Sequence, residues 1–265
     1  MFGRYCSVVL IDLLFDPFGG RWPDVRAGAI AAEQAGFAGV WLYDHLAGSV
    51  HGASSVLECW TTLTAVAAVV PRLAVGPLVL NVANRDPGTL AVMAATLQHV
   101  SEGRLLLGLG AGGGKDTPYA SEQQALGRAV PGAPARRDAV EVAIGRLRAV
   151  WSGALGGASG FLRPEPAPPI IIGGFGPKMA ELAGRLADGL NTPGGPGAPS
   201  LIAIARQAHE RRGGDPAAFV VTVSERASAR ERDQLTELGV DRMIVSVGHP
   251  YASGVERARA ALIPA

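Results

Sequence analysis

The stretch LAVGPLVLNVANRDPGTLAVMAATLQHV, residues 73–100, contains the structural unit that repeats along this chain. It begins with an aliphatic run, Leu73–Val82, whose apolar character on both faces is typical of a parallel strand covered by helices. A helical pattern follows over Pro87–Val100, with proline in the first turn, where its missing N–H is no loss. The stretch therefore predicts one strand followed by one helix.

The same alternation continues on both sides of this unit. Further strands are predicted at Ser7–Asp12, Gly39–Tyr43, Arg104–Leu109, Ile170–Ile172, Gly189–Asn191, Phe219–Ser224 and Arg242–Val247. Further helices are predicted at Asp24–Ala35, Leu57–Val70, Arg136–Trp151, Pro177–Leu186, Ser200–Arg212, Ala229–Leu238 and Gly254–Leu262, with a glycine- and proline-rich loop at Gly110–Ala135. Eight such units favour a closed (β/α)₈ TIM barrel over an open α/β sheet. We expect residues 1–265 to form this single domain.

Composition limits the classes of protein to which the chain can belong. With 48% hydrophobic and 18% charged residues, it has enough apolar material for a large core and is not a disordered chain. The net charge of +1 gives no reason to expect nucleic acid or a membrane as partner. No apolar stretch approaches the ~18 residues that a membrane span needs. Cys6 and Cys59 fit reduced thiols of a cytoplasmic protein, and no metal site is predicted.

Polar residues follow the second and third predicted strands, and the loops after the strands carry the chemistry of such barrels. Asp44 and His45 come directly after the second strand. Because histidine titrates near neutrality, this pair is predicted to take part in proton transfer; the alternative is a helix cap beside a solvated histidine. Asn81, Asn84 and Arg85 follow the third strand, where they line the mouth of the barrel or simply form a turn.

Glycine-rich segments follow the fourth and fifth predicted strands. Gly108–Gly114 has the G-x-G-x-x-G spacing of dinucleotide sites, but no helix follows it directly, which argues against that type of site. Gly173–Lys178 leads straight into a helix whose N–H groups and dipole favour a phosphate, although tight packing of the turn would also require glycines. These segments and the Asp-His pair together indicate a cofactor with a phosphate tail and a redox head.

Several segments in combination resemble the luciferase-like monooxygenase family, and within it the oxidoreductases that use the deazaflavin coenzyme F420. They are Ala31–His45, Val75–Pro87, Gly103–Gly112, Leu238–Arg242 and Pro168–Leu190, the last with Ile-Ile-Ile-Gly-Gly-Phe-Gly-Pro at its centre. The resemblance implies a bacterial-luciferase-like barrel. It also implies hydride transfer between the deazaflavin and a small organic substrate.

The resemblance further implies roles for individual residues. His45 and Asp44 are the expected catalytic residues: His45 exchanges a proton, and Asp44 orients it or contacts the cofactor. A cis peptide bond near Leu78-Val79 is expected to bulge against the cofactor ring. The expected cofactor-binding residues are Asp44, Leu78, Val79, Asn81, Gly110, Ala111, Gly112, Gly174, Phe175, Gly176 and Pro177. Phe175 departs from the small residue that is common at its position in the family.

Two alternative functions fit the same pattern. One is an FMN-dependent monooxygenase of the same fold, supplied by a separate flavin reductase, and the other is a non-catalytic flavin-binding protein. The expected partners are a small-molecule substrate and an enzyme that reduces F420 or flavin. The family resemblance also suggests a homodimer.

Overall fold

Parallel strands form one barrel in the computed structural model, which describes residues 8–262. The strands are β1 (Leu10–Phe15), β2 (Gly39–Leu42), β3 (Ala74–Pro77), β4 (Leu80–Asn81), β5 (Leu107–Gly110), β6 (Ile170–Gly173), β7 (Gly189–Pro193), β8 (Val220–Glu225) and β9 (Arg242–Val247). Their order is β3-β2-β1-β9-β8-β7-β6-β5-β4. Because β3 and β4 are consecutive pieces of one barrel strand, the two ends of the sheet meet. The predicted (β/α)₈ barrel is confirmed, with its third strand in two pieces.

Helices follow the strands and cover the outside of the barrel. They are α1 (Trp22–Gln34), α2 (Cys59–Val69), α3 (Pro87–Val100), α4 (Ala120–Ala125), α5 (Ala133–Ser152), α6 (Pro177–Leu186), α7 (Ala198–Arg211), α8 (Ala229–Glu237) and α9 (Tyr251–Leu262). Proline occupies one of the first two positions of α1, α3, α5, α6 and α7, where it costs no hydrogen bond. Between residues 8 and 262, no helix has the length and apolarity to cross a membrane.

The first strand lies further along the chain than predicted, at Leu10–Phe15 instead of Ser7–Asp12, and Ser7 is outside the described residues. Asp12 was predicted to be the last residue of the strand. It lies instead inside the strand and is fully buried, because its carboxylate accepts hydrogen bonds from Arg242 and from the Trp41 indole. A distant partner therefore makes this polar residue compatible with the barrel interior.

Two other predicted elements also differ. The single strand Leu73–Val82 is interrupted after Pro77, which lacks the N–H that a continuing ladder needs, and the Leu78–Val79 peptide bond that follows is cis. The predicted loop Gly110–Ala135 contains the short helix α4 and the start of α5. Both differences change the C-terminal mouth of the barrel.

The barrel interior is filled in layers. Leu14, Trp41, Leu78, Ile171 and Ile244 form an apolar cluster inside the barrel. The Asp12–Arg242 pair lies nearer the N-terminal ends of the strands, since Arg242 is the first residue of β9 and Asp12 precedes Leu14 by two positions. The interior is thus closed at this end, and the space for a ligand lies at the other.

Cys59 is a buried free thiol, and its Sγ donates to the Leu42 carbonyl at 3.6 Å. Burial raises the pKa of this thiol well above its ordinary value, so it stays protonated. Cys6 lies outside the described residues. Within residues 8–262, no group of three or more His, Cys, Asp or Glu side chains is placed to hold a metal ion.

Candidate cofactor and substrate site

A cavity of about 920 Å³ opens at the C-terminal ends of the strands. The structure brings together around it every residue that sequence analysis assigned to the site: Asp44, His45, Leu78, Val79, Asn81, Gly110, Ala111, Gly112, Gly174, Phe175, Gly176 and Pro177. The turns after β2, β5 and β6 therefore face one shared space. This is the arrangement expected when parallel strands end at the same face of a barrel.

Asp44 follows β2, and its buried carboxylate is held by the segment after β4. Its Oδ2 accepts hydrogen bonds from the Asn81 backbone N–H (2.9 Å), Asn84 Nδ2 (3.1 Å) and Arg85 Nη1 (2.9 Å), and its Oδ1 from Arg85 Nη2 (2.9 Å). In the described part of the chain, Asp44 makes no hydrogen bond to His45. Asp44 thus anchors the neighbouring turn instead of orienting the imidazole, and the other expected role, contact with the cofactor, stays a prediction.

Arg85 links Asp44 to a second acid, Glu58, with which its Nη2 also forms a short ion pair. Glu58 caps α2 by accepting from the backbone N–H groups of Trp60 and Thr61 at 3.1 and 2.7 Å. Burial acts to raise the pKa of Glu58, but hydrogen bonds from Thr61, Trp60 and Arg85 outweigh it and lower the pKa. Burial likewise acts to lower the pKa of Arg85, and its two acids raise it above the ordinary value. The guanidinium is therefore a permanent cation that ties the two turns together.

His45 is oriented by Glu122, a buried residue of α4. The imidazole Nδ1 lies 3.2 and 3.3 Å from the two carboxylate oxygens, and Oε1 also accepts from the backbone N–H groups of Leu46 and Ala47 at 3.1 and 3.2 Å. A carboxylate at Nδ1 favours the tautomer with a proton there and leaves Nε2 as the free ring nitrogen. Glu122 was not predicted, because within the predicted loop Gly110–Ala135 only the glycine-rich stretch next to the strand was considered for the site. An acid in a loop after a barrel strand was the available signal.

Aromatic rings surround the His45 imidazole. The ring centroid of Tyr119 is 4.8 Å away, that of Phe18 5.3 Å, that of His51 5.7 Å and that of Tyr43 6.2 Å. Tyr43 and Tyr119 also line the cavity. Burial, together with the negative charge of Asp16, raises the pKa of Tyr43, so its hydroxyl stays neutral. This end of the cavity therefore consists of aromatic rings packed around the His45 imidazole.

Val79 forms the floor of the cavity beside the cis Leu78–Val79 bond, the position that the family resemblance implied. A Cβ added at Gly108, Gly110 or Gly173 would lie 3.0, 2.5 or 2.8 Å from its methyl groups. These glycines on β5 and β6 make room for the bulge of the third strand. At Gly108 and Gly110, close packing against Val79 therefore explains why the residue is glycine, and no bound phosphate is needed to account for it.

The turn after β6 offers a different surface. Gly176 directly precedes α6 and, as a glycine, has no side chain to cap the first N–H groups of the helix; the turn from Gly173 to Met179 lines the cavity. An uncapped helix start beside glycines suits a phosphate group, and the apolar surface at Leu78 and Val79 suits an aromatic ring. The residues present thus fit a flavin-type cofactor with a phosphorylated tail.

A sequence model of the luciferase-like monooxygenase family matches residues 14–263 of this chain. The chain belongs to this family. The F420-dependent glucose-6-phosphate dehydrogenase of Microbacterium testaceum is 33% identical over 177 residues, which cover 63% of this chain and 51% of that protein. The F420-dependent hydroxymycolic acid dehydrogenase of Mycobacterium tuberculosis is 32% identical over 174 residues, 62% of this chain and 47% of that protein. The luciferase-like chain thus spans about half the length of these relatives.

Among solved structures, an F420-dependent secondary alcohol dehydrogenase in complex with an F420-acetone adduct has the same fold as this luciferase-like protein. The TM-score is 0.81 at 18% identity, over 97% of this chain and 98% of that one. At this identity the likeness establishes the fold and leaves the chemistry to the residues of the site.

Proposed function

We propose that this luciferase-like protein is an F420-dependent oxidoreductase that transfers a hydride between the deazaflavin and a small organic substrate. The observation that carries the proposal is the shared cavity, in which the Glu122-oriented His45 and the uncapped start of α6 lie on different walls. The F420 enzymes among its relatives support this choice of cofactor. A small alcohol, an imine or an activated alkene are the candidate substrates.

The chain would hold the cofactor with the residues that line the cavity. Leu78 and Val79 would support the ring from below, and Asp44 would contact it or fix Asn81 beside it. The ribityl phosphate region would lie against two backbone segments, Gly110–Gly112 and Gly174–Pro177. When bound, F420 supplies the carbon that accepts or donates the hydride.

His45 would move the proton that accompanies the hydride. Oxidation of an alcohol removes a hydride from carbon and a proton from oxygen, and Nε2 of His45 would take that proton. Glu122 would hold Nδ1–H and balance the positive charge that forms on the ring. Tyr43 and Tyr119 would keep water away from the reacting atoms.

Beyond the site itself, the proposed function involves the whole chain and its partners. We propose that residues 1–265 act as one barrel domain and that a separate enzyme regenerates the redox state of the cofactor. A homodimer and a cytoplasmic location are predictions from the family and from composition.

Titration of the purified protein with F420 and with FMN tests the choice of cofactor. F420 is expected to bind at least about tenfold more tightly, a difference of ~1.4 kcal/mol. Bound F420 should then change its visible absorbance when a panel of alcohols is added. Tighter binding of FMN would favour the monooxygenase alternative. Bound F420 that keeps its redox state with every substrate would favour a carrier protein.

A further inference from the structure

We infer that Arg136, Arg137 and Lys178 form a cationic site for the anionic tail of the cofactor, an assignment that rests on the proposed function. All three residues line the cavity. Across residues 8–262, none of the three forms an ion pair with an acid. Three cations without an ion-pair partner on the wall of one cavity favour a ligand with several negative charges. The tail of F420 carries a phosphodiester followed by glutamate carboxylates.

The positions of these cations are not explained by the stability of the helices. Arg136 and Arg137 lie near the start of α5, and Lys178 is the second residue of α6. Cations at a helix N-terminus oppose the helix dipole, and neither helix has a side-chain cap to offset this. An anion bound between the two helix starts would satisfy both the dipoles and the cations.

Arg136 is positioned towards the glycine-rich segment of the cavity. A Cβ added at Gly114 would lie 3.4 Å from its Nη2, while its Nη1 donates to the Pro131 carbonyl at 2.8 Å. Its Nε is buried and has no hydrogen-bond acceptor among the described residues. A buried donor of this kind is costly unless a ligand or a water satisfies it. Arg136 therefore has donor capacity left for a ligand in the cavity.

The cavity leads outward between α5 and α6. Arg137 and Lys178 also line an adjoining groove of about 290 Å³, whose other residues are Asp138, Glu141, Glu181, Leu182 and Arg185. Arg185 pairs with Glu141 at 3.2 Å, which leaves two acids, Asp138 and Glu181, beside the cations Arg137 and Lys178, so the groove has no net positive charge for further glutamates. The site thus suits the phosphodiester and the first glutamate, and glutamates further out should meet repulsion or solvent.

A phosphorylated substrate could supply the same negative charges. The cofactor tail is favoured because Lys178 belongs to the turn after β6, whereas His45 follows β2, with the third strand and β5 between them. A substrate phosphate near Lys178 would have to reach across the mouth of the barrel from the reacting carbon. The tail of a cofactor whose ring lies at Val79 would extend towards the turn after β6 without crossing the mouth.

Fluorescence titration with deazaflavins of different tail length tests the assignment. The ligands are the bare deazaflavin riboside, the phospholactyl form without glutamate, and forms with one and with several glutamates. Affinity should rise by about fivefold at each of the first two additions, then level off, and the gains should fall at high salt. The triple variant Arg136→Gln, Arg137→Gln, Lys178→Gln should lose these gains and bind the bare riboside within about twofold of wild type.

Arg148→Gln is the matched control, because this arginine lies on α5 but lines neither the cavity nor the groove; its affinities should match wild type. Equal binding of all tail lengths by wild type would overturn the site. So would a triple variant that raises the KM of a phosphorylated substrate but binds each cofactor form normally. If wild type binds no deazaflavin at all, the proposed function fails first and the tail site fails with it.

Discussion

Two buried aspartates, Asp12 and Asp44, are each held by an arginine, but at opposite ends of the barrel. Asp12 accepts from Arg242 at 2.6 and 2.8 Å and from the Trp41 indole at 2.8 Å, and it lies away from the cavity. Asp44 accepts twice from Arg85 at 2.9 Å and lines the cavity. The same ion pair can therefore close the barrel at one end and shape a binding site at the other. The position of the pair in the barrel, rather than its chemistry, decides which of these two roles it has.

The largest effect should come from the chemistry at the mouth. Replacing His45 with Ala removes the proposed proton carrier, so kcat should fall by about 10²–10⁴-fold, while the Kd for F420 stays the same. Steady-state kinetics and cofactor titration measure the two quantities. His51→Ala is the control, since His51 lies beside His45 but does not line the cavity. Unchanged turnover in His45→Ala would remove the catalytic assignment.

The next effect concerns the closed end of the barrel. Asp12→Ala leaves the Arg242 cation buried without its acid, so the free energy of unfolding should fall by about 3–5 kcal/mol. Urea denaturation measures this, and the Kd for F420 of the folded fraction should not change. Asp233→Ala breaks an exposed ion pair with Arg232 and should change stability by less than ~1 kcal/mol. If Asp12→Ala and Asp233→Ala lower the free energy of unfolding by similar amounts, the Asp12–Arg242 pair does not have the structural role assigned to it.

Asp44→Asn should weaken cofactor binding more than it lowers stability, which is the reverse of the result expected for Asp12→Ala. Because Arg85 keeps Glu58 as a partner, stability should fall by only about 1–3 kcal/mol. The Kd for F420 should rise about tenfold, since the Asn81 turn loses its charged acceptor. If the variant loses stability but binds the cofactor normally, Asp44 has a purely structural role like Asp12, and the two ends of the barrel do not differ in this respect.

A smaller effect is expected for Glu122, which positions His45 without reaching the reacting atoms. Glu122→Gln keeps an acceptor for the Leu46 and Ala47 N–H groups but loses the charge that balances the imidazole. We expect kcat to fall about tenfold with the KM and the Kd for F420 unchanged. A higher KM or a weaker affinity for the cofactor would instead indicate that the carboxylate shapes the pocket.

The smallest effect is expected at Glu58, which caps α2 and pairs with Arg85. Glu58→Gln should lower stability near neutral pH by about 0.5–1 kcal/mol through the weaker cap. Since its pKa is lowered on folding, the carboxylate stabilises the protein above the unfolded pKa of 4.5 and loses this effect as the pH falls through the folded value. Unfolding curves of wild type and variant should therefore converge in acid. A difference that grows at low pH would contradict this.

Local sequence pattern was sufficient to predict the fold class and to place the residues that directly follow the strands at the mouth, whereas the list of cofactor-binding residues came from the family resemblance. Apolar runs followed by helical patterns are local, and in a parallel barrel every strand ends at the same face. A residue just after a strand can therefore be assigned to the mouth from its position alone, as for His45 and Gly174. The cis bond at Leu78-Val79 came from the family resemblance and not from the local pattern.

The partners of those residues were decided by the tertiary structure. Glu122 lies 77 positions from His45, and Arg242 lies 230 positions from Asp12. Hydrogen bonds and ion pairs depend on distance through space, so no local pattern contains them. The helix α4, which presents Glu122, has six residues and is too short for its helical propensity to predict it. The sequence thus placed the residues that follow the strands at the cavity, and folding determined which distant partners hold them there.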